Sequence, residues 1–306
     1  MKIGIDLGGS HIAIGVVNNK GIIVEKVEKR IMSKEKENIK KVIEEYIISN
    51  IDNLKQKYEI SNIGIAIPGT IEKGTIVKSV NLGIENYPIV KKLENSIRLP
   101  IQIRNDAKCA AIAEDKYGSL KSYQRSVFLT LGTGIGGAVL IHHQLLDTGN
   151  LPGCEFGHMT IQKEGIPCKC GKRGCWEKYA SMKAFKDNLR KELELTENTR
   201  GQELLEIIRQ NENQKEEKDK DKNQRITKVM DDYIENVSIG ISNIINIFEP
   251  EAIGIGGSFV YFQDVLLEKI RKYIKENNLL FNPREKLIIE PAILSNDAGI
   301  IGSVVS

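Results

Sequence analysis

The 306-residue sequence predicts an α/β protein. Strand-length apolar runs alternate with segments of helical period along the whole chain. Two stretches, "IGIDLGGSHIAIGVV" and "VFLTLGTGIGGAVLI", share the order strand, Gly-rich turn, strand, a weak internal echo that suggests two related lobes. A third Gly turn, in "EAIGIGGSF", follows another apolar strand and precedes a helical segment.

The elements follow in order. Lys2 to Lys26 reads as three short strands, divided by "GG" and "NNKG". Lys34 to Lys57 is helical, with Ile39, Val42, Ile43, Tyr46 and Ile47 on one face. "NIGIAIPG" is a buried strand, "VNLGIENYP" a loop, "IVKKLENSI" a helix and "PIQIR" a strand. Asp106 is expected to cap a helix that Gly118 ends. Helices are also expected from Ser181 to Leu195, Gly201 to Gln210 and Ile226 to Phe248. Between the last two, Asn211 to Arg225 carries no apolar residue and is either a solvated linker or an extension of charged helix.

Composition narrows the function. With 44 Lys and Arg against 41 Asp and Glu, the net charge of +3 is too small to make nucleic acid the main partner. The apolar runs are too short to span a membrane. The chain opens directly on a strand, so a cytoplasmic protein without leader peptide is expected.

The Gly turns are candidate anion sites. In Asp6-Leu7-Gly8-Gly9-Ser10, glycines let the backbone approach a ligand, Ser10 adds a hydroxyl, and Asp6 is placed to hold hydrated Mg²⁺. The alternative is a tight hairpin with a solvated Asp. The second turn, with Gly132, Thr133, Gly134, Gly136 and Gly137, offers further N–H groups but is no Walker loop, because no Gly-Lys-Ser/Thr follows. The third, Gly256-Gly257-Ser258, is expected to open a helix, whose free N–H groups favour phosphate. Three such turns, each after an apolar strand, favour a nucleotide site. Asp106, behind Asn105 at a strand end, either accepts a proton from a substrate hydroxyl or only caps its helix.

One span, Gly153 to Ser181, holds one His, four Cys, three Glu and the only Trp. His158, Cys168, Cys170 and Cys175 are the ligand set of a closed tetrahedral zinc site, which leaves no open position for a reacting water. Cys154 falls outside that spacing, and Cys109 lies in a predicted helix as core. A cluster of reduced thiols is the alternative.

These motifs resemble the repressor–open-reading-frame–kinase (ROK) group of sugar kinases. The resemblance runs through "DLGGSHIAIG", "IPGTI", "NLG", "PIQIRNDAKCAAIAE", "LGTGIGGAVL", "CEFGHM", "CKCGKRGCWEKYAS" and "GIGGS". It implies two ribonuclease-H-like lobes of the actin and hexokinase superfamily with a central cleft: residues 1–118, then 119–306 with its C-terminal helix returning to the first lobe. It also implies ATP with Mg²⁺, a structural Zn²⁺, and a hexose phosphorylated by ATP, with glucose to glucose 6-phosphate expected first. The other readings are an N-acetylhexosamine such as N-acetylmannosamine, or a sugar sensor without catalysis.

By matching position, Asp106 is the base. Gly69, Asn81, Asn105, Asp106, Glu155, His158 and Glu177 lie at the sugar, and His158 also serves the zinc. The turns Asp6 to Ser10, Gly132 to Gly137 and Gly256 to Ser258 hold phosphates and adenosine. Ser10 stands where the group usually has Thr, which keeps the hydroxyl. The aromatic residue closest to "NLG" is Tyr87 rather than a Trp, so sugar stacking there is not implied. Regulators of the group carry an N-terminal helix-turn-helix domain, and none is expected ahead of the first strand here. A homodimer is implied by the resemblance.

Overall fold

A computed structural model describes residues 1–146, 154–213, 220–277, 279–281 and 287–305. The chain forms two compact units. The first comprises residues 1–124, 138–154 and 293–306, and the second residues 125–137 and 155–292.

In the first unit, β1 (Lys2–Leu7), β2 (His11–Val17) and β3 (Ile23–Arg30) form an antiparallel meander. A 3-10 turn at Ser33–Asn38 leads into α1 (Ile39–Lys57). β4 (Asn62–Ile67) then adds in parallel to β1. The stretch "VNLGIENYP", expected as a loop, contains the strand β7 (Ile84–Tyr87), which with β5 (Thr70–Glu72) and β6 (Thr75–Ser79) ahead of it makes a small antiparallel sheet. Its strands are only three to five residues long and joined by tight turns, so turn residues dominate the local sequence. α2 (Ile89–Ile97) leads to β8 (Ile101–Asn105), parallel to β4, and α3 (Asp106–Tyr117). The sheet order is β3-β2-β1-β4-β8.

Isoleucine dominates this unit's core. Ile43, Ile47 and Ile51, one turn apart on α1, are wholly buried against Ile3, Ile5, Ile63 and Ile65. Complete burial of each such side chain contributes about 1.5–3 kcal/mol. β-branched residues also suit the pleated strands they occupy.

β9 (Arg125–Leu131) opens the second unit. β10 (Ile135–Ile141) and β11 (Gln144–Leu145) follow, the latter pair closing as a hairpin within the first unit. The second unit continues with α4 (Glu177–Ala180), α5 (Met182–Glu192), α6 (Gly201–Asn213) and α7 (Lys220–Phe248). Of the charged stretch 211–225, residues 214–219 lie outside the described residues; 211–213 extend α6 and 220–225 begin α7. β12 (Ala252–Gly256) pairs in parallel with β9, and β13 (Ile288–Pro291) pairs in parallel with β12. α8 (Gln263–Glu276) lies between those last two strands in sequence. Phe185 of α5 packs on Tyr233 of α7 and Phe262 ahead of α8, with ring centroids 4.5 and 5.9 Å apart.

The last described element, α9 (Ala298–Ser303), belongs to the first unit. Its backbone lies so close to β4 that a Cβ on Gly64 would overlap the Ser303 carbonyl. Arg104 and Gln102 of β8 donate to the carbonyls of Val305 and Ser303 at 2.7 and 2.6 Å, fixing the segment on the sheet. No helix among the described residues is long and apolar enough to cross a membrane.

Candidate functional site

In the first unit the expected site residues gather at the carboxyl ends of the parallel strands. Asp6 on β1 is level with Ala66 on β4, which is level with Arg104 on β8, and Asn105 and Asp106 follow. Two strand spacings, roughly 10 Å, therefore separate the Asp6 and Arg104 backbones. The first Gly turn closes tightly, with Gly8 N–H donating to the His11 carbonyl at 2.9 Å. Gly9 abuts Asn81, since a Cβ on Gly9 would lie 3.2 Å from the Asn81 Cβ. The turn and "NLG", 72 positions apart in sequence, are thus neighbours.

Beside Asp6 stands His11, whose Nε2 is 3.8 Å from the Asp6 carboxylate. That carboxylate raises the imidazole pKa above its ordinary value of 6.5, and partial burial opposes it. Sequence reading passed over His11, although its position directly after the Gly turn is the signal.

The helix cap differs from the expectation. Asn105, not Asp106, is the N-cap: its Oδ1 accepts from the N–H groups of Ala107 and Lys108 at 3.0 and 3.2 Å. Asn105 has the extended backbone that a cap requires, which places Asp106 one step inside, as the first helical residue. Asn105 Nδ2 also donates to the Gly69 carbonyl at 3.2 Å, where Gly69 has a φ of +119°. Asn105 therefore joins Gly69 to the helix start, and the Asp106 carboxylate, half-buried, sits directly beyond it.

In the second unit the Gly turns at Gly132 and Gly257 are adjacent, because Gly256 is level with Thr130 on neighbouring parallel strands. The backbones nearly touch: a Cβ on Gly257, at φ +73°, would lie 2.6 Å from the Leu131 carbonyl oxygen. The third turn departs from expectation here. Gly257–Phe262 is a 3-10 segment, and α-helix begins only at Gln263. The aromatic and β-branched run "FVYF" explains the delay, since these side chains lose rotamer freedom in α-helix.

A cavity of about 720 Å³ lies beside these turns, with Gly132, Thr133 and Ser258 on its wall. Lys183, Lys186 and Arg190 line it as well, and sequence reading missed all three. Their spacing puts them on one face of α5, next in sequence to the zinc motif, which is a legible signal in retrospect. α5 is also tied to the second turn, with Lys183 N–H donating to the Gly132 carbonyl at 3.0 Å.

His158, Cys168, Cys170 and Cys175 come together: one ligand atom from each lies within 4.8 Å of the others. Cys170 and Cys175 Sγ are 3.5 Å apart, and His158 Nδ1 is 3.8 Å from Cys168 Sγ. Tetrahedral Zn²⁺ with Zn–S of about 2.3 Å has edges of this size, so the donor set fits zinc. Burial pushes the Cys175 thiol up to about 12 and also raises Cys168, while backbone hydrogen bonding at Lys172 lowers Cys170. Three thiolates this close need a cation to neutralise them. Cys154 lies outside the cluster, and Cys109 is fully buried in α3.

The loop is braced on both sides. Ile166 N–H donates to the Tyr179 hydroxyl at 2.6 Å, and Lys172 Nζ donates to the His158 carbonyl at 2.7 Å. Trp176, wholly buried, donates from Nε1 to the Asn236 carbonyl of α7 at 2.8 Å. Glu177 stands between two features, its Oε1 3.5 Å from Cys168 Sγ and 3.9 Å from His158 Nδ1, and its Oε2 facing Gly134. Glu155 is exposed just ahead of the short 3-10 turn that carries His158. Gly136 and Gly137 lie on β10, so they belong to the strand rather than the turn.

A sequence model of the ROK family matches residues 2–305. A glucokinase of Streptomyces coelicolor is 30% identical over 310 residues, covering 99% of this chain and 96% of that enzyme. A xylose repressor of Caldicellulosiruptor bescii is 28% identical over 311 residues, covering 99% of this chain and 76% of the repressor. Among solved structures, a ROK family glucokinase from Streptomyces griseus in complex with glucose and AMPPNP superposes with a TM-score of 0.81. It is 24% identical, and the match covers 99% of this chain and 97% of that one. That likeness is one of fold.

Proposed function

The chain belongs to the ROK family, and from that premise we propose that its acceptor is glucose and its product glucose 6-phosphate. It is an ATP-dependent sugar kinase. The observation that carries the reading is the donor side. Two Gly turns, at the carboxyl ends of adjacent parallel strands, present backbone N–H groups beside a cavity walled by Lys183, Lys186 and Arg190. Such a surface suits a chain of phosphates.

On the acceptor side, Asp106 takes the proton of the attacking hydroxyl. Asn105 orients Asp106 by capping its helix, and it bonds a sugar hydroxyl with Gly69 and Asn81 near it. Glu155, His158 and Glu177 bond further hydroxyls. His158 divides its ring, with Nδ1 toward the metal site and Nε2 toward sugar. Mg²⁺, when bound with ATP, neutralises phosphate charge, and Asp6 with its hydrated shell would hold it. Zn²⁺ would be held by His158, Cys168, Cys170 and Cys175, and with no open position it supplies structure only. Rate enhancement comes from positioning and from charge neutralisation at the transferring phosphoryl group.

The test is a coupled ADP-release assay across glucose, mannose, fructose, allose, N-acetylglucosamine and N-acetylmannosamine, with the phosphorylated position read by NMR. Glucose with the highest kcat/KM and a 6-phosphate product is the expected result. A preference for an N-acetylhexosamine overturns the acceptor. Sugar binding without ADP release from any of the six overturns catalysis and leaves a sensor, as in the repressor branch of the family.

A further inference from the structure

Among the cations of the donor cavity, Lys186 stands apart. Lys183 and Arg190, one turn to either side of it on α5, both pair with Asp187, Arg190 at 2.8 Å. Arg190 also donates to the Thr199 carbonyl at 2.9 Å, and Lys191 is exposed. Lys186 is half-buried and makes no hydrogen bond or ion pair among the described residues. Its stem is packed as well: a Cβ on Gly201, the first residue of α6, would lie 3.7 Å from the Lys186 Cδ. The wall therefore holds one amine with a packed stem and no ion-pair partner among the described residues.

An ammonium withdrawn from water without a partner is costly, and the neutral amine is favoured in its place. Burial, followed by repulsion from Arg190, lowers the Lys186 pKa from the ordinary 10.5; Asp187 opposes this and Lys183 adds to it. A lysine desolvated beside other cations is an activated nucleophile. On the same wall lie Gly132, Thr133 and Ser258, whose turns offer backbone N–H groups to a phosphate. The cavity, about 720 Å³, has room for an electrophile that carries a phosphate of its own.

We propose that Lys186 is a modification site, acylated by a small acyl phosphate whose phosphoryl group docks at the turns beside it. The Lys186 Nζ attacks the acyl carbonyl carbon, and a C–N amide bond forms. The C–O bond to phosphate breaks, and its electron pair leaves with the phosphate, which takes the proton that the amine gives up. The products are an N-acyl-lysine and inorganic phosphate, with no change of oxidation state. Acylation removes one positive charge from the wall and sets an uncharged group beside the phosphate-binding turns. It weakens ATP binding in consequence, an effect that rests on the sugar-kinase reading; the acylation itself does not.

The probe is acetyl phosphate, incubated with the full chain, with acetylation at each lysine followed by peptide mass spectrometry. Lys186 should be modified at least about tenfold faster than Lys191 on the same wall and Lys41, exposed on α1, because a docked reagent reacts as a neighbour. Inorganic phosphate should compete for the dock, slowing Lys186 several-fold and leaving Lys41 unchanged. A Lys186 rate no higher than that of Lys41 overturns the site, and a rate indifferent to phosphate overturns the docking. In kinetics, acetylated protein should show a KM for ATP raised by about tenfold, the scale of one lost charge-assisted bond. Lys186→Arg, compared with its own untreated value, should not respond to acetyl phosphate; a response there overturns Lys186 as the cause. An unchanged KM in protein acetylated at Lys186 overturns the effect on ATP. Untreated protein that phosphorylates no sugar overturns the kinase reading, and the mass spectrometry still decides the acylation.

Discussion

The carboxylate of Glu114 accepts a hydrogen bond from the backbone N–H of Leu294 at 2.8 Å, across 180 positions of sequence. The same carboxylate accepts from Ser119 N–H at 2.8 Å and from its hydroxyl at 3.1 Å. Glu114 is fully buried in α3, yet its charge is met by three donors. It fastens the returning C-terminal segment where α3 ends. Glu114→Ala strands those donors, and a loss of about 3 kcal/mol is expected, with Glu114→Gln intermediate. Urea unfolding followed by circular dichroism checks this, and an unchanged midpoint would refute the clamp.

Asp106→Asn should lower turnover by about 10²- to 10⁴-fold while sugar affinity changes little, since the amide keeps size and hydrogen bonding but takes no proton. The measurement pairs steady-state kcat with sugar binding by calorimetry. Wild-type turnover in this variant sinks the base assignment.

The zinc prediction has a sign in pH. Three thiols must lose protons to bind metal, and burial holds Cys175 at about 12 and Cys168 above its ordinary value. Metal affinity should therefore rise with pH and fall as acid re-protonates the sulfurs. Elemental analysis should give one zinc per chain, competition with a chromophoric chelator the pH slope, and Cys170→Ser a raised sugar KM. A metal-free protein that is folded and fully active would refute the site.

His11 supplies a second pH prediction. Because Asp6 raises its folded-state pKa above the ordinary 6.5, the pair's contribution is fully present below about 6.5. That contribution disappears as pH climbs through the raised value. NMR titration of the imidazole should show the elevated midpoint, and Asp6→Asn should bring it down. An unmoved midpoint in that variant excludes Asp6 as the cause.

Trp176 packs on Gly240 so closely that a Cβ there would overlap the indole ring. Gly240→Ala should cost about 1–3 kcal/mol by overpacking and loosen the metal loop, whose last ligand, Cys175, directly precedes Trp176. Fluorescence of the single Trp reports both, and a melt identical to wild type counts against the contact.

Much of the second unit's site was legible because its signals are local. Four metal ligands within 18 residues, and a Gly turn after each strand, need only short-range sequence to be seen. The Asn105 cap was missed by one residue, because Asn and Asp compete equally for that position and backbone geometry decides between them. The sheet of β5, β6 and β7 was hidden because its strands are too short to show alternation. The cationic wall of α5 was hidden for another reason: Lys and Arg on a helix usually mean a solvated face, and only the turn at Gly132 makes this face a wall. The clamp made by Glu114 was invisible in sequence, since the partner that ties it to the C-terminal segment is a backbone N–H 180 positions away.

The return of α9 to the first unit has a consequence for how the chain is made. Gly64 on β4 receives the Ser303 backbone, and Arg104 holds the Val305 carbonyl. A ribosome that has released residues 1–124 has therefore not yet supplied all of the unit they begin. The second unit, complete in sequence by residue 292, can close first. The first waits with one face of its sheet uncovered, the face of Gly4, Ala13, Val17 and Gly64, until residues 293–305 are made, and nascent chains stalled short of α9 would offer that face to chaperones.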